Sequence, residues 1–121
     1  MANLDFNKND DKMRLLISEM KRKHAIVSLG GGKQKIDKQH AKGKLTARER
    51  IDYLKDTDAN FLEIGAFVGE GMYAKYGGCP SGGVVAGITY VKDRQCIVVA
   101  NDATVKAGAW FPITAKKNLR L

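Results

Sequence analysis

Met13, Leu16, Ile17, Met20 and Val27, with His24 in register, recur at three- and four-residue intervals and fall on one helical stripe, while Lys21, Arg22 and Lys23 lie mostly outside it. This spacing predicts a helix over residues 10–28. Residues 1–9 (MANLDFNKN) carry little periodicity and are expected to fray or form an arm. Gly30, Gly31 and Gly32 follow at once and suit a helix stop and swivel. Residues 33–43 are polar and basic, which predicts a surface loop or a weak helix. Thr46 and Glu49 then have capping-box spacing, and Ile51 and Leu54 give a short helix an apolar face. It should end near Lys55, where Asp56, Thr57, Asp58, Ala59 and Asn60 form a turn.

Beyond Asn60 the period changes from helical to alternating. Phe61 to Gly65 reads as a short strand and Gly82 to Val91 as a longer one rich in β-branched residues. Lys92, Asp93 and Arg94 form a hairpin turn, and Gln95 to Ala100 is a nearly continuous apolar run that suits a strand covered on both faces. Val68 to Ser81, rich in glycine, reads as an irregular loop. Pro112 stands at the first position of a helix through Leu119. The fold class is therefore α/β (α+β), with helices first and a hairpin after them. Loops at the carboxyl ends of strands are where ligands tend to sit in such proteins, so the junction from Asn101 to Pro112 is the candidate site.

Composition narrows the picture. The 121 residues are 44% hydrophobic, ordinary for one modest domain. No stretch reaches the ~18 apolar residues of a membrane span, and the first residues are not those of a secretion signal, so a cytoplasmic chain is expected. Cys79 and Cys96 have no CxxC spacing and lie near neither His24 nor His40, so no metal site is expected and free thiols are the simpler reading. The net charge of +8 is concentrated: between Met20 and Arg50, ten basic residues face only Asp37 and Glu49. Such a block attracts polyanions, whether nucleic acid, acidic membrane or the phosphates of a nucleotide-bearing cofactor. On charge alone a solvated surface is the simpler account.

Three glycine-rich places could carry chemistry. Gly30 to Lys33 (GGGK) lacks the spacing of a phosphate loop and follows a helix rather than a strand. Gly69, Gly71, Gly77 and Gly78 open no helix. The third, Thr104 to Ala109 (TVKAGA), leaves a strand and runs toward the helix led by Pro112, where main-chain N–H groups can converge on a developing negative oxygen. An ordinary strand-to-helix turn is the competing account. No serine, cysteine or zinc-hydrolase motif is present. Asp102 is the one carboxylate at the end of an apolar strand, with turn capping as probable as acid–base work.

The run VVANDATVKAGAWFPITAKKNLR, Val98 to Arg120, closely resembles a segment of the beta (carboxyltransferase) subunits of biotin-dependent acyl-CoA carboxylases of the methylcrotonyl-CoA type. HAKGKLTARERID from His40, FLEIG from Phe61, PSGGVVAGI from Pro80 and the triplet Gly30–Gly32 resemble further segments of that family, in the same order. The resemblance implies an N-terminal fragment with a partial crotonase-like fold of stacked β-β-α turns. On this division residues 1–29 are a helical arm and residues 30–121 the first part of the carboxyltransferase N domain. It also implies carboxyl transfer from carboxybiotin to an acyl-CoA, most simply 3-methylcrotonyl-CoA, with propionyl-, geranyl- and glutaconyl-CoA handled by similar subunits.

The implied cofactor is biotin, carried by a partner alpha subunit that also holds biotin carboxylase. The implied assembly is a homo-oligomer, a beta hexamer, with neither nucleic acid nor membrane as partner. Ala107, Gly108 and Ala109 become candidates for lining the acyl thioester, and Lys44, Arg48 and Arg50 for meeting the CoA phosphates; a structural role for Arg48 and Arg50 is an equal alternative. Catalytic residues are not assigned. Two positions depart from the family pattern: Lys42 stands for an arginine, losing its planar fork, and Ala107 for the first glycine of a pair. The family's later glycine-rich turns are not in this sequence, so the chain alone is expected to be inactive. Two other classes compete: a basic nucleic-acid-binding module, against which no aromatics interleave the cations, and an assembly element without ligand binding.

Overall fold

The stripe from Met13 to Val27 is part of one 27-residue helix, α1 (Ala2–Ser28), in the computed structural model, which describes residues 2–121. The helix begins well before Asp10, contrary to the frayed arm expected of residues 2–9; Met1 lies outside the described residues. No proline or glycine interrupts the segment, Asp5 complements the positive end of the helix dipole, and Asp10 pairs with Arg14 at 2.8 Å. Only its last turns touch the body. Val27 is buried and the His24 ring meets Phe67 edge-on, whereas Met13, Leu16 and Met20 stay half exposed or more.

Gly30 and Gly32 adopt positive φ, of 54° and 99°, and turn the chain out of α1. Residues expected to form a loop or a weak helix form α2 (Lys33–Ala41), whose first turn closes on the Gly32 carbonyl through the Lys35 and Ile36 amides. The capping box then starts α3 (Ala47–Leu54): Glu49 N–H donates to Thr46 Oγ1 at 3.3 Å, and Thr46 N–H donates to Glu49 Oε2 at 2.7 Å. The same carboxylate lies 2.9 Å from His40 Nε2, tying α2 to α3. The Thr46 amide first, then His40, holds Glu49 below its ordinary pKa.

The strands β1 (Leu62–Glu63), β2 (Val84–Val91) and β3 (Arg94–Asn101) make one antiparallel sheet in that order. Lys92 and Asp93, both left-handed, form a two-residue turn of the I′ kind, matched to strand twist. Asp56 braces it, accepting from Lys92 N–H at 2.7 Å and Asp93 N–H at 2.9 Å. Those two amides, Asp93 first, lower the Asp56 pKa. The register pairs Val84 with Asn101 through Val91 with Arg94, which puts Val85 and Ala100 on one face. Against that face pack Ala47 and Ile51 of α3, with Phe61 and Val98 at the edge. The other face is covered only at the Val84 end. Ile97 and Val99 remain about half exposed, so β3 is not a strand covered on both sides as its apolar run predicts.

A second small core joins Cys79, Val105 and Phe111, with Tyr73 and Ile113 beside it. Both cysteines are free, and burial pushes the Cys79 thiol up. The stretch from Val68 to Ser81 is a series of turns and a short 3-10 segment, Ala74–Tyr76, rather than a strand or long helix. After it, Pro80–Gly83 leads directly into β2. The last helix, α4 (Pro112–Leu119), carries Thr114, whose hydroxyl accepts from the Phe111 amide at 3.2 Å. One turn on, the Lys117 ammonium is buried and donates to three carbonyls: Ser81 at 2.7 Å, Val84 at 2.8 Å and Gly65 at 3.0 Å. Burial pushes its pKa down to about 8, with the Glu63 charge pulling the other way.

Candidate functional site

Where β3 ends, Asp102 folds its carboxylate back on the chain. Its Oδ1 accepts from the Thr104 amide at 2.9 Å and the Thr104 hydroxyl at 2.5 Å. The Thr104 hydroxyl in turn accepts from Gly31 N–H at 2.9 Å, across a separation of 73 residues. Asp102 is thus a buried turn-capping residue that acts through Oδ1. The glycine triplet earns its composition here too. A Cβ on Gly31 would fall onto the Thr104 carbonyl, and one on Gly30 onto the Asp102 carboxylate. GGGK is therefore the place where the end of α1 and the end of β3 touch main chain to main chain, which leaves no cradle for a phosphate.

The turn that follows is backbone of an uncommon kind. Lys106, Ala107 and Gly108 have φ of 48°, 53° and 84°, three left-handed residues in succession. Gly108 N–H donates to the Val105 carbonyl at 2.9 Å and Ala109 N–H to the Lys106 carbonyl at 3.0 Å. Those two amides are spent inside the turn. The Ala107 amide has no partner among the described residues and belongs to an exposed residue. The Lys106 ammonium bends over the Phe111 ring, 4.3 Å from its centroid, and the Phe111 ring stacks on Tyr73 at 4.2 Å. These contacts fix the far side of the turn.

The three candidate cations are not equivalent. Arg48 gives both terminal nitrogens to Glu63, Nη1 to Oε2 and Nη2 to Oε1, each at 2.8 Å. Its fork is committed to a carboxylate and is not presented to a phosphate. Burial raises the Glu63 pKa, but the Arg48 hydrogen bonds and charge, with help from His24, bring it net below the ordinary value. Lys44 and Arg50 are exposed and take part in no ion pair or side-chain hydrogen bond among the described residues. Nothing in the spacing from Arg48 to Glu63 could have flagged their pairing, since it depends on β1 running past α3.

Two grooves lie away from the turn. One, of about 270 Å³, runs between the end of α1 and the glycine-rich stretch, lined by Val27, Gly31, Gly69, Gly71 and Gly78 among others. The other, about 350 Å³, lies between Leu16, Met20 and Lys23 of α1 and Phe67. Neither is lined by Ala107, Gly108 or Ala109. Among the described residues no three His, Cys, Asp or Glu side chains gather as a metal site, and no helix is long and apolar enough to cross a membrane.

Comparison with known proteins places this arrangement. Residues 38–121 match the family described as the carboxyl transferase domain. The chain is 43% identical over 110 residues to the biotin-dependent 3-methylcrotonyl-coenzyme A carboxylase beta1 subunit of Mycobacterium tuberculosis, covering 91% of this chain and 20% of that protein. The solved beta subunit of geranyl-CoA carboxylase from P. aeruginosa superposes with a TM-score of 0.80 at 29% identity, over 96% of this chain and 21% of the subunit. Transcarboxylase 12S, solved as a hexamer with methylmalonyl-coenzyme A bound, gives 0.77 at 31% identity, over 89% of this chain and 22% of its own. The mixed helix-and-strand fold is thus part of a carboxyltransferase, crotonase-like domain. The chain spans about a fifth of the length of these relatives and belongs to the carboxyl transferase domain family.

Proposed function

We propose that these residues form part of a beta subunit that carries carboxyl from carboxybiotin to 3-methylcrotonyl-CoA, with residues 1–29 as its helical arm and residues 30–121 within its N domain. The observation that carries the reading is the 43% identity, across nine-tenths of the chain, to a subunit named for that substrate. Propionyl-CoA is the alternative acyl group. Biotin would arrive on the alpha subunit of the complex, within a homo-oligomer of beta subunits. The pocket that reaches the turn after β3, between Arg48, Asp102 and Thr104, is about 20 Å³ and too small for biotin itself.

The chemistry asked of this part of the subunit is on the acyl-CoA side. An enolate formed next to a thioester needs donors already aimed at its oxygen, in a place short of water. Within the turn, Ala107 offers an unspent amide, while Gly108 and Ala109 hold the loop shape around it. Lys44 and Arg50 are the free cations for the CoA phosphates, and Arg48 acts through Glu63 to hold α3 in place.

The test replaces the matched fifth of the Mycobacterium tuberculosis beta1 subunit with this chain and assays the hybrid with its biotin-bearing partner on 3-methylcrotonyl-, propionyl- and geranyl-CoA. The first should be carboxylated fastest, and Lys44→Ala with Arg50→Ala should raise KM about tenfold with kcat unchanged. The chain alone should be inactive. A hybrid that assembles but carboxylates none of the three removes the enzymatic reading.

A further inference from the structure

Ala107, Gly108 and Ala109 carry a methyl group or nothing, so Lys106 is the one residue of the turn whose side chain can reach the body of the chain. It does so twice. Its ammonium donates to the Trp110 carbonyl at 3.3 Å and stands 4.3 Å from the centroid of the Phe111 ring. The first contact spans the turn, from its first left-handed residue to the residue that follows it. The second refers the turn to a fixed object, since Phe111 is buried with Cys79 and Val105, caps the start of α4 and stacks on Tyr73. Trp110 leans the other way, its Nε1 donating to Asn101 Oδ1 at 3.4 Å, so the contacts run on to the end of β3.

The turn needs such a brace. Lys106 and Ala107 hold φ of 48° and 53°, a region that residues with a Cβ enter at a cost and keep only where the surroundings enforce it. The bonds from Gly108 N–H to the Val105 carbonyl and from Ala109 N–H to the Lys106 carbonyl fix the internal shape of the turn. They do not fix the way it faces, because both partners of each bond lie within residues 105–109. Direction is what matters to a donor in a reaction, since a misplacement of about 1 Å can cost about a hundredfold in rate.

We propose that Lys106 is a positioning residue of the carboxyl transfer: its side chain is the strut that aims the Ala107 amide, and it meets neither the acyl group nor the CoA phosphates. Its ammonium is engaged by a carbonyl and an aromatic face, which sets it apart from Lys44 and Arg50, exposed and without an ion pair or side-chain hydrogen bond among the described residues. To grip a phosphate it would have to give up both contacts, and the turn would lose its only side-chain tie to Phe111. The proposal rests on the assignment of the Ala107 amide to the enolate oxygen, and not on the choice of acyl group.

Two measurements separate the strut from that assignment. In the chain itself, Lys106→Ala should speed amide exchange at Gly108 and Ala109 about tenfold while the urea midpoint hardly moves, because the turn lies at the surface. Lys106→Arg should exchange as the wild type does, since a guanidinium also stacks on a ring and donates to a carbonyl. In the hybrid beta1 subunit with its biotin-bearing partner, Lys106→Ala should lower kcat on 3-methylcrotonyl-CoA about tenfold with KM within about twofold, and Lys106→Arg should restore most of the rate. Unaltered exchange in Lys106→Ala would overturn the proposal. So would a raised KM with kcat kept, which would make Lys106 a phosphate ligand. Faster exchange with both constants unchanged would overturn it as well, and would remove the Ala107 amide from the reaction. A hybrid inactive before any substitution counts against the substrate reading, and exchange in the chain then still decides whether the strut exists.

Discussion

Arg48 and Glu63 meet fork to fork, fifteen residues apart, with each terminal guanidinium nitrogen 2.8 Å from a different carboxylate oxygen. The pair joins α3 to β1, and His24 of α1 approaches the same carboxylate at 3.5 Å. Three elements of the fold therefore converge on one half-buried negative charge.

That convergence makes stability pH-dependent in a definite direction. Burial works against ionised Glu63, but Arg48 and His24 outweigh it and lower the folded-state pKa below 4.5. A carboxylate lowered on folding contributes stability that is present above its unfolded pKa and is lost as pH falls through the lowered value. The melting temperature should therefore fall on acidification below about pH 4.5, and Glu63→Gln should flatten that fall. Glu49 and Asp56 are lowered too, so the difference between wild type and variant isolates Glu63. Arg48→Ala should cost about 2 kcal/mol at pH 7, because it strands the carboxylate. A variant whose acid transition overlays that of the wild type would refute the linkage.

Gly31 and Gly32 provide a contrast between crowding and conformation. A methyl on Gly31 collides with the Thr104 carbonyl, which is main chain and cannot swing away. Gly31→Ala should cost about 3 kcal/mol in urea denaturation. A methyl on Gly32 meets nothing within 4 Å, but its φ of 99° with ψ of 163° is a region essentially reserved for glycine, so Gly32→Ala should cost about 2 kcal/mol through backbone strain alone. A cost below about 1 kcal/mol for Gly31→Ala would mean that the close approach of α1 to the β3 turn is not what selects glycine there.

The turn at Ala107 carries an avoidable strain. Alanine at φ 53° pays about 1 to 2 kcal/mol relative to a right-handed residue, and glycine does not. Glycine loses about 0.5 to 1 kcal/mol more backbone entropy on folding, so Ala107→Gly should stabilise by a net of about 0.5 to 1 kcal/mol. A lower urea midpoint for the variant would show that the alanine methyl makes a contact worth more than the strain.

These residues also mark what sequence reasoning could reach. The capping box at Thr46, the hairpin at Lys92 and the helix led by Pro112 rest on local chemistry, and each formed where its residues indicated. The left-handed run at Lys106 and Ala107 was invisible because neither residue type favours that region. The Asp102–Thr104–Gly31 chain of hydrogen bonds and the Arg48–Glu63 pair join segments that only the tertiary fold brings together. For β3, an apolar run reports that a strand avoids water in its final setting. It does not report whether the covering element belongs to the same 121 residues, and over Ile97 and Val99 it is not among those described. In the candidate site, composition singled out the Thr104 to Ala109 turn for its small residues but not which of its amides remain free.

Lys117 offers the most severe test of the packing. Its ammonium gives one proton to each of three carbonyls, from Gly65 in the turn past β1, the Pro80–Gly83 segment and the start of β2. Lys117→Met keeps the length and apolar stem but leaves those oxygens buried without a donor, which should cost about 3 kcal/mol. Lys117→Arg should not restore the loss, because a planar guanidinium cannot aim three donors from one nitrogen as a pyramidal ammonium does. Thermal unfolding measures the cost, and amide exchange at Gly82 and Gly83 should accelerate ahead of the rest of the sheet, since this segment is what the ammonium pins. If Lys117→Met melts within about 1 kcal/mol of wild type, water must be reaching the three carbonyls, and the ammonium is not what holds the entrance to β2.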